Sequence, residues 1–331
     1  MTFRRTAGLV LAAALLAACA LASLAVGAAM LPLDVVWAAL TANDGSASHV
    51  TVSEARVGRT LLGITVGAAL GVSGALIQAL TRNPLADPGI LGVNAGAGFA
   101  VALAVAFFGV TRISEYLPFA FLGAIAATVA VYLVAGGVRG TPTPVRLTLV
   151  GVALGAVLMG ISRTLALLNA ETFDRMRFWS AGTIADRPPG TLEAILPFIL
   201  VGLVLAALCA TPLNAVALGD DLARTVGARL GWARAGVVLS VTLLCGAATA
   251  ASGVIAFVGL MMPHSVRWIT GPDWRWILAY SALLAPALVL ASDVVGRLVL
   301  MPAELQVSIV TALLGAPMLI LLVRRTRATA L

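Results

Sequence analysis

The chain has 331 residues, of which 61% are hydrophobic and only 11% charged, against about 25% charged in a soluble domain. That balance excludes an ordinary soluble globular protein and points to lipid as the solvent. The net charge of +7 does not indicate nucleic-acid binding, because all 21 basic residues are Arg and they lie scattered at the ends of apolar runs, where they anchor helices to a membrane surface.

A hydrocarbon core takes about 20 apolar residues per helix. In chain order, such runs lie near 7–30, 59–80, 90–110, 117–137, 146–169, 193–211, 233–251, 254–270, 276–300 and 306–323. They predict an all-α integral membrane protein with about ten transmembrane helices, forming a single domain over 1–331, with no soluble domain between any two runs. Residues 16–19, Leu-Ala-Ala-Cys, look like a lipoprotein cleavage site. The apolar run there is too long for a signal-peptide core and more membrane segments follow, so it reads as an uncleaved first helix. Cys19, Cys209 and Cys245 are dispersed in apolar runs and give neither a disulfide framework nor metal spacing.

Ten spans place both termini on one face. Of the 21 arginines, 13 fall on that face, among them Arg4, Arg82, Arg146, Arg234 and Arg324, while Glu54, Glu115, Glu171 and Asp174 lie opposite. Positive residues stay inside, so both termini are expected to be cytoplasmic. Gly63, Gly67, Gly71 and Gly74 in the second run, and Gly151, Gly155 and Gly160 in the fifth, recur about every four residues. That spacing lets another backbone approach closely.

Residues 81–89 interrupt this pattern with Arg82, Asn83-Pro84 and Asp87-Pro88. Each Asx-Pro pair is a cap followed by a helix start, and two prolines forbid a continuous helix. The longest loop on the termini face, residues 212–234, carries Leu218, Leu222, Val226 and Leu230 at every fourth position. Asp220 and Asp221 precede Arg224 in the order that suits a helix dipole. An interfacial helix is one reading of this loop, although the stripe is short and broken by Gly227 and Gly231. On the other face, Arg56 and Arg59 share a helical side, and Arg297 follows Asp293 by four residues, the spacing of an intrahelical pair. Arg163 lies near the outer end of the fifth run, where it can snorkel, and His264 reads as structural.

The run "GALIQALTRNPLADPGILGVNAGAG" resembles the signature of the iron-complex and cobalamin permeases, the membrane subunits of type II ATP-binding-cassette importers. "ARVGRTLLGITVGAALGVSG", "GVIAFVGLMMPHSVRWITGPD", "LASDVVGRLVLMPAEL" and "VTALLGAPMLILLVRR" match further blocks of that family in the same order. Two departures are Val57-Gly58, where the family has Leu-Pro, and Gln306, where Pro is common. The resemblance implies a dimeric permease in the bacterial cytoplasmic (inner) membrane, working with two ATPase subunits and a periplasmic, or extracellular lipid-anchored, substrate-binding protein. It implies that Arg56, Arg59 and Arg297 dock the binding protein. Leu218, Asp220, Asp221, Leu222, Arg224 and Val226 would couple to the ATPases. Asn83, Leu85, Pro144 and Val145 would form a cytoplasmic gate, and Met176, Phe178 and Trp179 the outer mouth.

No catalytic or metal-ligating residues and no permanently bound cofactor are expected, with ATP and Mg on the partner ATPases. A phosphate-binding GxxxxGK[ST] loop needs Lys, and this chain has none. The expected cargo is an iron complex, haem ahead of ferric siderophore on account of Met176, Phe178 and Trp179, with cobalamin as the alternative. An ion-coupled secondary transporter would place carboxylates mid-membrane, and Asp293 is the one acid well inside a run. An intramembrane enzyme using Ser73 lacks a metal cluster or paired carboxylates.

Replacing Leu222 or Val226 with Asp is expected to uncouple the ATPases, so that ATP hydrolysis continues while uptake falls. Normal uptake per ATP in both variants would remove this loop from the coupling path.

Overall fold

The computed structural model describes residues 2–110, 112–137, 143–217, 219, 225 and 230–328. Every regular element among them is helical. They are α1 (Thr2–Ala25), α2 (Leu33–Thr41), α3 (Ala47–Thr81, with a π-helical stretch at Thr51–Arg56), α4 (Val93–Phe108), α5 (Ile113–Gly136) and α6 (Pro144–Leu168). There follow α7 (Ala170–Ser180), α8 (Thr191–Val216), α9 (Leu230–Ser252), α10 (Val258–Thr270), α11 (Trp274–Val299) and α12 (Val307–Ala328).

Each of the ten apolar runs falls on a helix, but only seven helices among the described residues are long and apolar enough to cross a membrane. The expected ten spans are corrected to that extent. Helix α4 has 16 residues, because residues 88–91 form a 3-10 turn ended by left-handed Gly92. Helix α10 has 13, because the chain after Gly253 stays irregular until left-handed Phe257. For α12, the part counted as apolar is Val307–Ile320. At 1.5 Å per residue, α4 reaches about 24 Å, short of the roughly 30 Å hydrocarbon core.

Helix α3 is buried on nearly every face and packs chiefly on α11, α9 and α10. Its glycines make that possible. A Cβ on Gly67 would stand 2.5 Å from the Cα of Pro286, and one on Gly74 would enter the Gly259 backbone. Side chains at these positions would hold the helices apart, so the small-residue stripe is what lets α3 sit inside the bundle.

One polar side chain secures the same seam. Pro263 has no N–H, so the carbonyl four residues earlier, Gly259, loses its partner within α10. Gln78 of α3 lies against it and donates from Nε2 to the carbonyls of Leu260 at 3.0 Å and Gly259 at 3.4 Å. Gln78 is 1% exposed, so no water substitutes for it. Gln78→Leu leaves the Gly259 carbonyl without a donor and is expected to destabilise the chain by about 1–3 kcal/mol. A thermal melt in detergent unchanged from wild type would contradict this account of the α3–α10 contact.

Candidate functional site

Helix α1 stops at Ala25, and its last carbonyls have no partners within the helix. Two arginines take them up. Arg56 donates from Nη1 to the carbonyls of Leu24 at 2.7 Å and Ala25 at 2.8 Å, and from Nη2 to Ala29 at 2.5 Å. Arg297 donates from Nη1 to the carbonyls of Ser23 at 2.8 Å and Val26 at 2.7 Å. Arg297 also donates from Nε to Asp293 Oδ2 at 2.9 Å, so the intrahelical pair expected from the spacing is formed. Arg59 grips the same carboxylate, with Nη2 at 2.7 Å from Asp293 Oδ1 and 2.7 Å from Glu304 Oε2. The structure therefore gathers all three arginines into one cluster that ties α1, α3 and α11 together.

Burial defines the character of this cluster. Arg56 is 6% exposed and Arg297 3%, and their donors point into the chain. The Arg59 side chain is 14% exposed and its partner Glu304 37%. Three guanidinium groups face two carboxylates, so the cluster keeps one positive charge. Only its Arg59–Glu304 edge meets the surface.

At the other end of α3, Arg82 adopts the left-handed conformation that ends the helix. The sequence predicts a short helical turn after Asn83. Instead, the Asn83 side chain accepts from the Leu85 N–H at 2.9 Å and its carbonyl accepts from Ala86, which makes a tight turn. Asp87 then caps the 3-10 turn through the Gly89 N–H at 2.8 Å, so α4 starts five residues later than Asp87-Pro88 suggests. Leu85 is exposed, as is Val145 at the start of α6. Pro144 sits at the first position of α6, capped by the Thr143 side chain. The 3-10 turn and α6 are close enough that a Cβ on Gly151 would collide with the Ile90 carbonyl. Asn83 and Leu85 thus precede the 3-10 turn that packs on α6, and Pro144 and Val145 open α6 itself.

Asn214, in the last turn of α8, clamps the neighbouring helix start. Its Nδ2 donates to Asp273 Oδ1 at 2.9 Å and its Oδ1 accepts from the Trp274 N–H at 2.9 Å. This fixes the root of the expected coupling loop. The coupling residues themselves, Leu218, Asp220, Asp221, Leu222, Arg224 and Val226, lie outside the described residues.

The expected short helix at the mouth is α7, whose Asn169 cap accepts from the Thr172 N–H. Met176 is half-buried and Trp179 only 4% exposed. The side chain of Phe178 lies outside the described residues. Met176 and Trp179 border a cavity of about 590 Å³ between α4, α6 and α7, which Arg163 and Arg177 also line. Among the described residues no group of three or more His, Cys, Asp or Glu side chains could hold a metal ion.

The FecCD transport family model matches residues 15–325. The chain belongs to this family. It is similar to the ferric enterobactin transport system permease protein of Escherichia coli (strain K12), at 48% identity over 303 residues, covering 92% of this chain and 90% of the relative. It is also similar to the hemin transport system permease protein of Yersinia pestis, at 34% identity, covering 95% of this chain and 94% of the relative. A solved structure of an inward-facing, metal-chelate type ABC transporter shares 27% identity, with a TM-score of 0.83 over 97% of this chain and 99% of that one. This FecCD permease is a non-catalytic, multi-pass subunit of an ABC importer in the inner membrane.

Sequence reasoning did not single out Gln78, Ser23 or Asn94. Ser23 Oγ meets Thr60 Oγ1 at 2.8 Å, and Asn94 Oδ1 accepts from Thr249 at 3.0 Å. The signal for Gln78 was available, since a lone amide in an apolar helix needs a partner and Pro263 creates one.

Burial raises the Asp87 carboxyl above its ordinary 3.8, opposed by the hydrogen bond from Gly89. The folded chain then prefers the protonated form. Its stabilising contribution is complete below 3.8 and is lost as pH rises through the raised value. Asp87→Asn keeps an acceptor for Gly89 and removes the ionisation, so it is expected to melt at least as high as wild type at neutral pH and to flatten the decline in stability above 3.8. Identical stability–pH profiles for the two proteins would contradict this.

Proposed function

We propose that this chain is one half of a dimeric permease that imports a ferric siderophore by alternating access, driven by two partner ATPase subunits that bind ATP and Mg. The 48% identity over 92% of the chain to a ferric enterobactin permease carries the reading. The relative named for hemin is 34% identical. On sequence, haem is favoured because Met176, Phe178 and Trp179 could suit a macrocycle. Trp179 is buried, which weakens that ground and moves the weight to the siderophore.

In this reading both termini are cytoplasmic and the whole of 1–331 acts as one permease domain. Residues 212–234 seat in the ATPases, and Asn214 transmits their movement to α11. Asn83, Leu85, Pro144 and Val145 close the cytoplasmic end. The binding protein docks at the Arg59–Glu304 edge, while Arg56 and Arg297 hold that surface from beneath. Charge at such an edge sets orientation and encounter rate more than affinity.

Ion coupling is disfavoured by the state of Asp293. Its side chain is fully buried and already held by Arg59 and Arg297, so it offers no site for a proton or sodium ion. The Ser73 hydroxyl donates a hydrogen bond to the Leu70 carbonyl at 3.0 Å, not to a base that would activate it.

The test is uptake into proteoliposomes containing the permease, its ATPases and its binding protein. Ferric siderophore uptake is expected to require ATP and all three components, with Arg59→Glu slowing binding-protein docking. Uptake by the permease alone on an ion gradient would overturn the proposal.

A further inference from the structure

Helix α2 is apolar on both sides, and the bundle covers only one of them. Val36 and Ala39 are buried against Val52 of α3, and Leu24 and Ala25 of α1 complete the contact. On the opposite side Leu33 is 60% exposed, Trp37 69% and Leu40 49%. Steps of four and then three residues put these side chains on one stripe of the helix. Asp34 is the only charged residue of α2. A helix that is apolar all round is stable only where something other than water covers it.

The level of α2 shows what that cover is. From Arg5 to Ala25, α1 is one unbroken helix that rises about 30 Å, the thickness of a hydrocarbon core. Arg4 and Arg5 mark one boundary, so Leu24 and Ala25 stand at the other. Helix α2 packs on those two residues and therefore lies at the level of the headgroups. The link between the helices cannot lift it clear, because the Leu31 N–H donates to the Ala25 carbonyl at 3.0 Å and folds the link back on the end of α1. Beneath α2, α1 exposes Val10, Leu15 and Leu21, an apolar surface that only lipid suits. Trp37 stands mid-stripe, and tryptophan is enriched where membrane meets water. The stripe holds no cation, so it has nothing to offer an acidic partner, whereas the charged Arg59–Glu304 edge lies on α3 and beyond α11.

We infer that α2 is an interfacial anchor, with Leu33, Trp37 and Leu40 inserted into the leaflet that meets the end of α1. Its partner is the lipid surface, held by apolar contact and not by charge. Such helices bury their apolar face about 5–10 Å into the boundary between headgroups and acyl chains. The link from α1 to α2 supplies the Val26 carbonyl to Arg297 and the Ala29 carbonyl to Arg56. An anchored α2 therefore holds the far end of the segment on which the arginine cluster is built. The anchor is independent of the cargo.

The test is tryptophan fluorescence of the full-length permease in phosphatidylcholine vesicles. Subtracting the spectrum of Trp37→Phe isolates Trp37 from the other tryptophans. Trp37 emission is expected to be blue-shifted, and to be quenched several-fold more by lipid brominated near the glycerol end of its acyl chains than by aqueous iodide. Leu33→Asp is expected to weaken the bromolipid quenching and to move Trp37 emission to longer wavelength. Adding phosphatidylglycerol is expected to change neither signal. Iodide quenching without bromolipid quenching places the stripe in water and overturns the inference. Iodide quenching that disappears when the binding protein is added assigns the stripe to that partner, and quenching by neither agent assigns it to a second copy of this chain. Both results overturn the inference, as does bromolipid quenching that is unchanged in Leu33→Asp or that requires phosphatidylglycerol. The expected quenching in a complex that fails to import on ATP upholds the anchor and defeats the importer reading alone.

Discussion

A helix that ends or breaks inside an apolar slab leaves carbonyl groups that water cannot reach, and each needs a donor from elsewhere in the chain. This requirement organises the FecCD permease. Arg56 and Arg297 answer it where α1 stops. Gln78 answers it where Pro263 breaks the ladder of α10 and frees the Gly259 carbonyl. Arg187 answers it after α9, donating from Nη2 to the carbonyls of Thr183 at 2.9 Å and Ser252 at 3.1 Å. The arginine-rich composition thus serves the backbone as much as the membrane surface.

The same requirement joins packing to transport. Glycines let α3 approach α10 and α11 closely, and the polar side chains lock the broken helices against it. The result is a stiff core whose irregular segments lie at its two ends. One end carries the turn at Asn83 and the clamp at Asn214. The other carries the arginine cluster and the cavity beside α7. Asp293 acts inside this frame as a counter-ion shared by Arg59 and Arg297, a role that removes it from ion coupling.

Much of this was legible in the sequence because the solvent is lipid. Apolar length located every long helix, and the glycine spacing located the α3 seam. Asx-Pro pairs marked the turn, although Asn83 builds a tight turn where a helical one was expected, because its own side chain takes the Leu85 N–H. The number of full spans was not legible, since left-handed Gly92 and Phe257 shorten α4 and α10 without interrupting their hydropathy. Nor was the inward direction of Arg56 and Arg297. An arginine at the end of an apolar run looks the same whether it reaches for headgroups or for the carbonyls of a neighbouring helix.

The most direct measurement is amide hydrogen exchange of the purified permease in detergent, comparing wild type with Arg56→Met. If guanidinium groups hold the broken helix ends, the N–H groups of Val26 and Leu31, bonded to Ala22 and Ala25, exchange much faster in the variant while α8 and α9 stay protected. Unchanged protection around residues 22–31 would show that the end of α1 stands without Arg56 and would contradict the account.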